Sequence, residues 1–289
     1  MKGKRIAVIG GDKRQVFLIE SLRLKGYDTV GFGIAGAIEE DAHTLQETLS
    51  GADAVVLPYP VSPDGVFVNA SSDKCDIRLS DLISLIGEEG VGLVFGGGFK
   101  RNAIEALELL GTEVCDYGES EALKIKNALC TAEGAISIAM KETEITLHGS
   151  RATVIGYGRI GRLLSERLIA LGAKVSAVAR SPEALACAYA DGASAIHIKD
   201  LGRAASDTDL IFNTVPSLML DRNTLASVNT DTLIIDLASS PGGVDMNEAK
   251  RLGLKVIWAL SLPGKHCPKT AAEIIREVIE ERFDRTRNR

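Results

Sequence analysis

An α/β fold with two parallel-sheet domains joined by a long helix is what this 289-residue sequence predicts. Three observations carry that reading. Short apolar runs alternate with amphipathic stretches in both halves, the pattern of strand–helix–strand units. The 29 glycines follow no repeat and cluster where apolar runs end, as tight strand-to-helix turns require. Between the halves, Leu123, Ala128, Leu129, Ala132, Ile136, Ala139 and Met140 recur at spacings of three and four without a proline. That periodicity is one helix.

In the first half, Arg5–Ile9 is a strand that ends in Gly10-Gly11. Val16, Ile19, Leu22 and Leu24 then fall at helical spacing as far as Gly26. Asp28–Gly31 and Ala54–Leu57 are further strands, the latter stopped by Pro58 and Pro60. Tyr59–Lys74 is polar and reads as a long loop holding a small hairpin around Val66–Val68. Leu79–Gly87 is a helix, Gly92–Phe95 a strand, Ala103–Leu110 a helix and Glu113–Cys115 a last short strand. The alternation predicts a flavodoxin-like parallel sheet covered on both faces.

The second half restarts the alternation. Its strands are Arg151–Ile155, Lys174–Ala179, Ala195–Ile198, Leu210–Asn213, Thr232–Asp236 and Lys255–Trp258. Thr270–Phe283 is a closing helix, followed by a solvated tail with Arg282, Arg285, Arg287 and Arg289. The expected division is an N-terminal α/β substrate domain over 1–118, a connecting helix over 119–141 and a nucleotide-binding domain over 142–264. The last piece, 265–289, is a helix and tail that packs back on the first domain.

Composition excludes several classes. A net charge of −6 and pI near 5.4 argue against a nucleic-acid partner, which calls for a basic excess. No apolar run approaches the ~20 residues that span a bilayer, so no membrane association is expected. The start, MKGKRIAVIGG, becomes a strand at once, without a signal-peptide pattern. Five scattered cysteines form no CxxC pair, which indicates neither zinc nor a disulfide framework and suits a reducing cytoplasm. The four histidines show no metal-ligand spacing: His43, His148 and His197 read as loop or strand-edge residues.

The clearest chemistry lies in the second half. Gly156, Gly158 and Gly161 form G-x-G-x-x-G between a strand and an amphipathic helix, the context that motif requires. Gly156 permits the turn, Gly158 lets backbone approach a pyrophosphate, and Gly161 lets the helix pack on the strand. Arg159 and Ile160 sit at the helix N-terminus, whose N–H groups and dipole favour phosphate. The domain is therefore expected to be a Rossmann NAD(P)-binding domain. In an NAD site the second strand ends in Asp or Glu, which bonds the ribose 2′-OH. Here Arg180-Ser181 takes that place. Arg180 is either a bidentate partner for a 2′-phosphate or a solvent-exposed strand end; the first reading favours NADP over NAD.

Residues beyond strand C-termini line the ligand crevice of this fold. That rule adds Asn213, Thr214, Val215 and Pro216 after the fourth strand, and Ala238 and Ser239 after the fifth. Asp236 either joins that rim or satisfies backbone donors in its turn. After the sixth strand come Lys265 and His266, candidates to take up a proton. In the first half, Gly10-Gly11-Asp12-Lys13-Arg14-Gln15 and Gly96-Gly97-Gly98 are turns with nearby cations. Lys13, Arg14, Gly97 and Gly98 are the expected holders of a carboxylate, the alternative being loose turns with surface cations.

Taken together, GGDKRQ, the glycine motif followed by ARS, NTVPSLML, IIDLASSPGGVD and LPGKHCPKTAAEII resemble the dipicolinate synthase A-subunit family of endospore-forming bacteria. The likeness covers nearly the whole chain and is tightest from His148 to Ile275. More distantly, D-x-A-x-x-x-G-G looks like alanine dehydrogenase and transhydrogenase nucleotide domains, and the two-domain plan is similar to the 2-hydroxy-acid dehydrogenases. The resemblance implies oxidation of a dihydrodipicolinate, or of its hydroxylated tetrahydro precursor, to pyridine-2,6-dicarboxylate, with NAD(P)+ as hydride acceptor. It also implies that the partner is the flavoprotein-like B-subunit of dipicolinate synthase, and that the setting is the mother-cell cytoplasm during sporulation. A homodimer is expected from the dehydrogenase plan. Gly156, Gly158, Gly161, Arg180, Ser181, Asn213, Thr214 and Pro216 would be cofactor contacts. A small dicarboxylate suits cations and backbone amides: Arg14 and the two glycine turns on one side, Lys265 and His266 on the other. The alternatives are a 2-hydroxy-acid or alanine dehydrogenase-like enzyme, and a non-catalytic NADPH-binding protein.

Overall fold

The structure, a computed structural model, describes residues 3–34, 44–70 and 76–287. His43, Cys75, Arg289 and the final part of the Tyr59–Lys74 loop lie outside the described residues. The chain divides into two compact units, Met1–Lys126 with Cys267–Arg289, and Asn127–His266.

The first unit opens with β1 (Arg5–Ile9), α1 (Lys13–Leu24), β2 (Asp28–Phe32), α2 (Leu45–Leu49) and β3 (Ala54–Val56). It continues with α3 (Leu79–Glu88), β4 (Leu93–Gly96), α4 (Arg101–Leu109) and β5 (Glu113–Asp116). The sheet order is β2-β1-β3-β4-β5 and every pairing is parallel, the flavodoxin-like order. Strands β3 and β4 are apolar throughout, and β1 is apolar after Arg5, because helices cover both faces. The α1 N-terminus carries a capping box: Asp12 Oδ1 accepts from Arg14 N–H and Gln15 Oε1 accepts from the Asp12 N–H, both at 2.9 Å. The five-residue α2 has the same device in Thr44 and Glu47. Val66–Val68 pairs with Ile77–Leu79 through Val68 N–H to Ile77 O and Leu79 N–H to Val66 O, both 2.9 Å.

The closing helix, α12 (Pro268–Arg287), belongs to this first unit. It lies along α1, where Glu273 accepts from Ser21 Oγ at 2.7 Å. Phe283 is 5% exposed, with its ring centroid 5.7 Å from Phe95 and 6.0 Å from Tyr27. The expected tail is helical to Arg287 rather than frayed, although Arg285 stays exposed. Arg282 and Arg285 remain helical, paired with Glu113 and Glu281 respectively.

The 22-residue helix α5 (Glu121–Glu142) starts in the first unit and continues into the second. In the second unit its Ala132, Ala135, Ile136 and Ala139 pack with Leu164, Leu168, Val154 and Phe212 in one core. Met140, which fits the same periodicity, is instead exposed. The rest of that unit is β6 (Arg151–Ile155), α6 (Arg159–Ala170), β7 (Lys174–Ala179), α7 (Pro182–Ala190), β8 (Ser194–His197) and α8 (Leu201–Ser206). Then follow β9 (Leu210–Asn213), α9 (Arg222–Leu225), β10 (Leu233–Asp236), α10 (Met246–Arg251), β11 (Lys255–Trp258) and α11 (Leu262–His266). The sheet order is β11-β10-β9-β6-β7-β8, all parallel. This is the doubly wound Rossmann order, whose switch point falls between β6 and β9. A second core, with Val178, Ile211, Leu225, Ile234 and Ala249, covers the opposite face.

Candidate active site

At the switch point of the second unit the glycine turn has three separate reasons for its glycines. Gly156 has φ +92°, and a Cβ there would lie 2.4 Å from Thr214 Oγ1. A Cβ on Gly161 would lie 2.0 Å from the Gly156 carbonyl oxygen, so helix and turn meet only because both are bare. A Cβ on Gly158 would meet no protein atom within 4 Å. The fold does not need glycine at that position; an approaching ligand would. Helix α6 starts there without a side-chain cap, which leaves its N-terminus to an anion.

Beside this turn lies a pocket of about 360 Å³ lined by Gly156, Tyr157, Gly158, Val178, Ala179, Arg180, Ser181, Ala184, Ile198, Val215 and Met219. Its apolar floor suits a purine, and exposed Arg180 stands at its rim. The Ser181 hydroxyl caps α7, accepting from Ala184 N–H at 3.2 Å. Tyr157 donates its hydroxyl to Asp191 at 3.0 Å. Burial, and then that bond to Asp191, push its hydroxyl pKa up. Arg159 is exposed, while Ile160 packs against the core. These features fit a pyridine dinucleotide with its adenosine half in the pocket and its pyrophosphate over Gly158.

The two loops that follow β9 and β10 share one hydrogen-bond network. Asn213 is fully buried and Asp236 is 2% exposed. Asn213 Nδ2 donates to Asp236 Oδ1 at 2.8 Å and to Val215 O at 3.0 Å, while its Oδ1 accepts from Val215 N–H at 3.2 Å. Asp236 also accepts from Ala238 N–H at 3.1 Å and Gly243 N–H at 2.8 Å. Thr214 donates its hydroxyl to Ile155 O. Pro216 and Ser239 are exposed, and Ala238 is buried.

Lys265 and His266 lie side by side on α11, both exposed. Gly134 on α5 makes room for this turn: a Cβ there would lie 3.3 Å from the His266 ring and 3.2 Å from Leu262. Ser261, just before α11, has φ +59° and is the one non-glycine residue with positive φ among those described. Such a conformation costs about 1–3 kcal/mol and concentrates at functional sites.

In the first unit, the C-terminal ends of β1 and β3 converge on Tyr59. Arg14 is 6% exposed and donates to Asp12 through Nε and Nη2, both at 2.9 Å, and to Tyr59 O at 2.9 Å. Burial pushes the Asp12 carboxyl up, but the Arg14 guanidinium and amide together hold it below the usual range. The Tyr59 ring lies edge-on to Tyr117, 6.1 Å between centroids, and covers Gly97, where a Cβ would fall 2.5 Å from it. Burial raises the Tyr117 pKa and its hydroxyl donates to Leu57 O.

This geometry corrects the expectation of open amides at Gly97 and Gly98. Gly97 N–H donates to Pro58 O at 3.1 Å. Gly98 N–H and Phe99 N–H donate to Asp116, each at 3.1 Å, and Gly118 N–H donates to the same carboxylate at 2.8 Å. The anion of this glycine turn comes from the protein itself. Lys13, in contrast, is exposed. Tyr59, Asp116, Ser261 and Gly134 are the site residues that sequence reasoning missed. The signal for Gly134 was present, since a glycine inside a helix costs about 1 kcal/mol and calls for a packing reason. Among the described residues, no group of histidine, cysteine, aspartate and glutamate could hold a metal ion, and no helix is long and apolar enough to cross a membrane.

Comparison with known proteins agrees with this construction. Residues 5–118 match the model of the dipicolinate synthase A-subunit N-terminal domain. Residues 126–242 match that of the D-isomer specific 2-hydroxyacid dehydrogenase, NAD binding domain. The dipicolinate synthase A-subunit of Bacillus subtilis (strain 168) is 32% identical, over 97% of this chain and 96% of its own. The crystal structure of the Bacillus halodurans homologue superimposes with a TM-score of 0.86 at 29% identity, covering 97% of both chains. For the crystal structure of the Bacillus subtilis protein the TM-score is 0.84 at 30% identity, covering 100% of this chain and 98% of the other. The chain belongs to the dipicolinate synthase A-subunit family, with a dehydrogenase-type NAD-binding domain as its second unit.

Proposed function

We propose that this chain oxidises a dihydrodipicolinate ring to pyridine-2,6-dicarboxylate, with NADP+ preferred over NAD+. A hydroxylated tetrahydro precursor would reach the same dihydro ring by losing water. The observation that carries the proposal is full-length membership of the dipicolinate synthase A-subunit family combined with a glycine turn left open at Gly158.

When bound, the cofactor supplies a hydride acceptor; the chain supplies binding, orientation and a route for the proton. The Gly156–Gly161 turn and the α6 N-terminus hold the pyrophosphate. Arg180 pairs with the 2′-phosphate, as its free position at the pocket rim supports. The loops after Asn213 and Asp236 set the nicotinamide half. Because loss of a hydride and a ring proton gives an aromatic product, positioning counts for more than strong acid–base power. His266, or Lys265 beside it, takes the proton; strain at Ser261 next to α11 supports a functional turn there. Lys13 offers a cation to a substrate carboxylate, since Arg14 is committed to Asp12.

The Bacillus subtilis relative is named as one component of a synthase with more than one kind of chain. That name supports a partner here too, which we take to be the flavoprotein-like B-subunit, alongside a homodimer of this chain. The setting is the mother-cell cytoplasm during sporulation. Calorimetric titration with NADPH and NADH, with and without dipicolinate, tests the reading. It predicts a single nucleotide site tighter for NADPH and heat from dipicolinate on the nucleotide-loaded protein. Absence of heat from every pyridine nucleotide overturns it.

A further inference from the structure

We infer that Asn213 and Asp236 are positioning residues that lock the nicotinamide half of the cofactor site and, through Val215, steady one wall of the adenosine pocket. This rests on the reading that the second unit holds a pyridine dinucleotide. Asn213 is expected from sequence as a cofactor contact, yet its amide faces inward with both ends engaged. Asp236 accepts from three donors, Asn213 Nδ2, Ala238 N–H and Gly243 N–H. Both Nδ2 hydrogens of Asn213 are therefore committed within the protein, and both side chains are buried.

What the pair does instead follows from where its bonds go. Asn213 fixes Val215 at both N–H and C=O, and Val215 lines the pocket. Asp236 fixes both ends of the Ala238–Gly243 turn. Gly243 O accepts from Met219 and Leu220 N–H, each at 2.9 Å, so the loop after β9 is tied to the turn a second time. A Cβ on Gly243 would lie 2.1 Å from Asn213 Nδ2, which leaves no space for slack. Trp258 closes the turn from outside, donating Nε1–H to Ala238 O at 2.9 Å. Two loops on adjacent strands therefore behave as one rigid rim, which is the preorganisation that hydride transfer needs. The brace reaches the adenosine pocket only at Val215 and Met219; the glycine turn, Val178, Arg180 and Ile198 line the rest.

The test compares two ligands on the full-length protein. The probe for the adenosine half is 2′,5′-ADP, and NADPH reports both halves. For Asp236→Asn, which turns an acceptor toward a donor, NADPH affinity should fall at least about tenfold. Affinity for 2′,5′-ADP should fall several-fold less than that for NADPH, since only Val215 and Met219 of its pocket are held by the pair, and Trp258 emission should change. Asn213→Ala should give the same split. Equal losses for both ligands, or no loss for either, overturn the inference. Amide hydrogen exchange on the wild-type protein provides a check without substitution. The Val215, Ala238 and Gly243 amides should exchange slowly in the ligand-free protein; exchange as fast as an open loop overturns the brace. If the wild type binds neither ligand, the nucleotide reading falls, while the exchange rates still decide whether the brace exists.

Discussion

Arg14 and Asp12 form a two-point ion pair at the N-terminus of α1, Nε to Oδ1 and Nη2 to Oδ2, both at 2.9 Å. Arg14 is almost fully buried and Asp12 is partly exposed. Asp12→Asn keeps a good helix cap but strands the guanidinium, so it should cost about 2 kcal/mol, between an exposed and a buried pair. The depressed Asp12 pKa gives the effect a sign in pH. Its stabilisation is complete above the unfolded carboxyl value of about 4 and disappears as pH falls through the lower folded value. Urea denaturation of wild type and variant should therefore differ at neutral pH and converge in acid. A constant difference across that range would show that the charge is not responsible.

Gly158 and Gly161 should respond oppositely to alanine. Gly158→Ala meets open space and keeps φ at −87°, so the melting temperature should stay near wild type while NADPH affinity drops more than about tenfold. Gly161→Ala drives a methyl into the Gly156 carbonyl and should lower stability by about 1–3 kcal/mol as well as binding. Equal stability loss in the two variants would deny that Gly158 is kept open for a ligand.

Arg180→Gln should reduce NADP+ affinity by about 10–100-fold, the worth of a charge-assisted hydrogen bond, with NAD+ affinity little changed. Competition binding with both nucleotides measures this. Parallel losses for the two would place Arg180 away from the 2′-phosphate.

Ser261→Gly relieves a left-handed serine and should raise stability by about 1 kcal/mol. Turnover should fall as the α11 turn loosens around Lys265 and His266. Thermal melts and steady-state rates on one preparation decide it; higher stability with unchanged turnover would make the strain incidental.

Phe283→Ala removes a ring packed on Phe95 and Tyr27 and should cost about 3–5 kcal/mol. Native-state amide exchange should show lost protection in β1–β5, which share a unit with α12. Unchanged protection there would mean that α12 is dispensable to that sheet.

Much of this was legible in the sequence because buried parallel strands are continuous apolar runs, and the central strands of both sheets are such runs. Arg5–Ile9, Arg151–Ile155, Lys174–Ala179 and Leu210–Asn213 have the bounds that hydropathy indicates. The short α2 escaped notice although Thr44 and Glu47 spell a capping box, because five residues carry too little periodicity. The glycine turn of the second unit was readable since its motif encodes backbone geometry. The Gly96–Gly98 turn was not. Whether an amide is open depends on what reaches it, and Asp116 reaches it from 18 residues away. Asn213 illustrates the same limit: its position at a strand end marks a ligand crevice, but only the structure reveals that Asp236 and Val215 occupy it.

The most direct measurement is product stoichiometry, with the purified chain and its partner protein supplied with the cyclic dicarboxylate precursor and NADP+. Dipicolinate quantified by mass spectrometry should equal NADPH formed, one for one. Dipicolinate appearing without reduction of the nucleotide, or at a rate indifferent to it, would contradict the account.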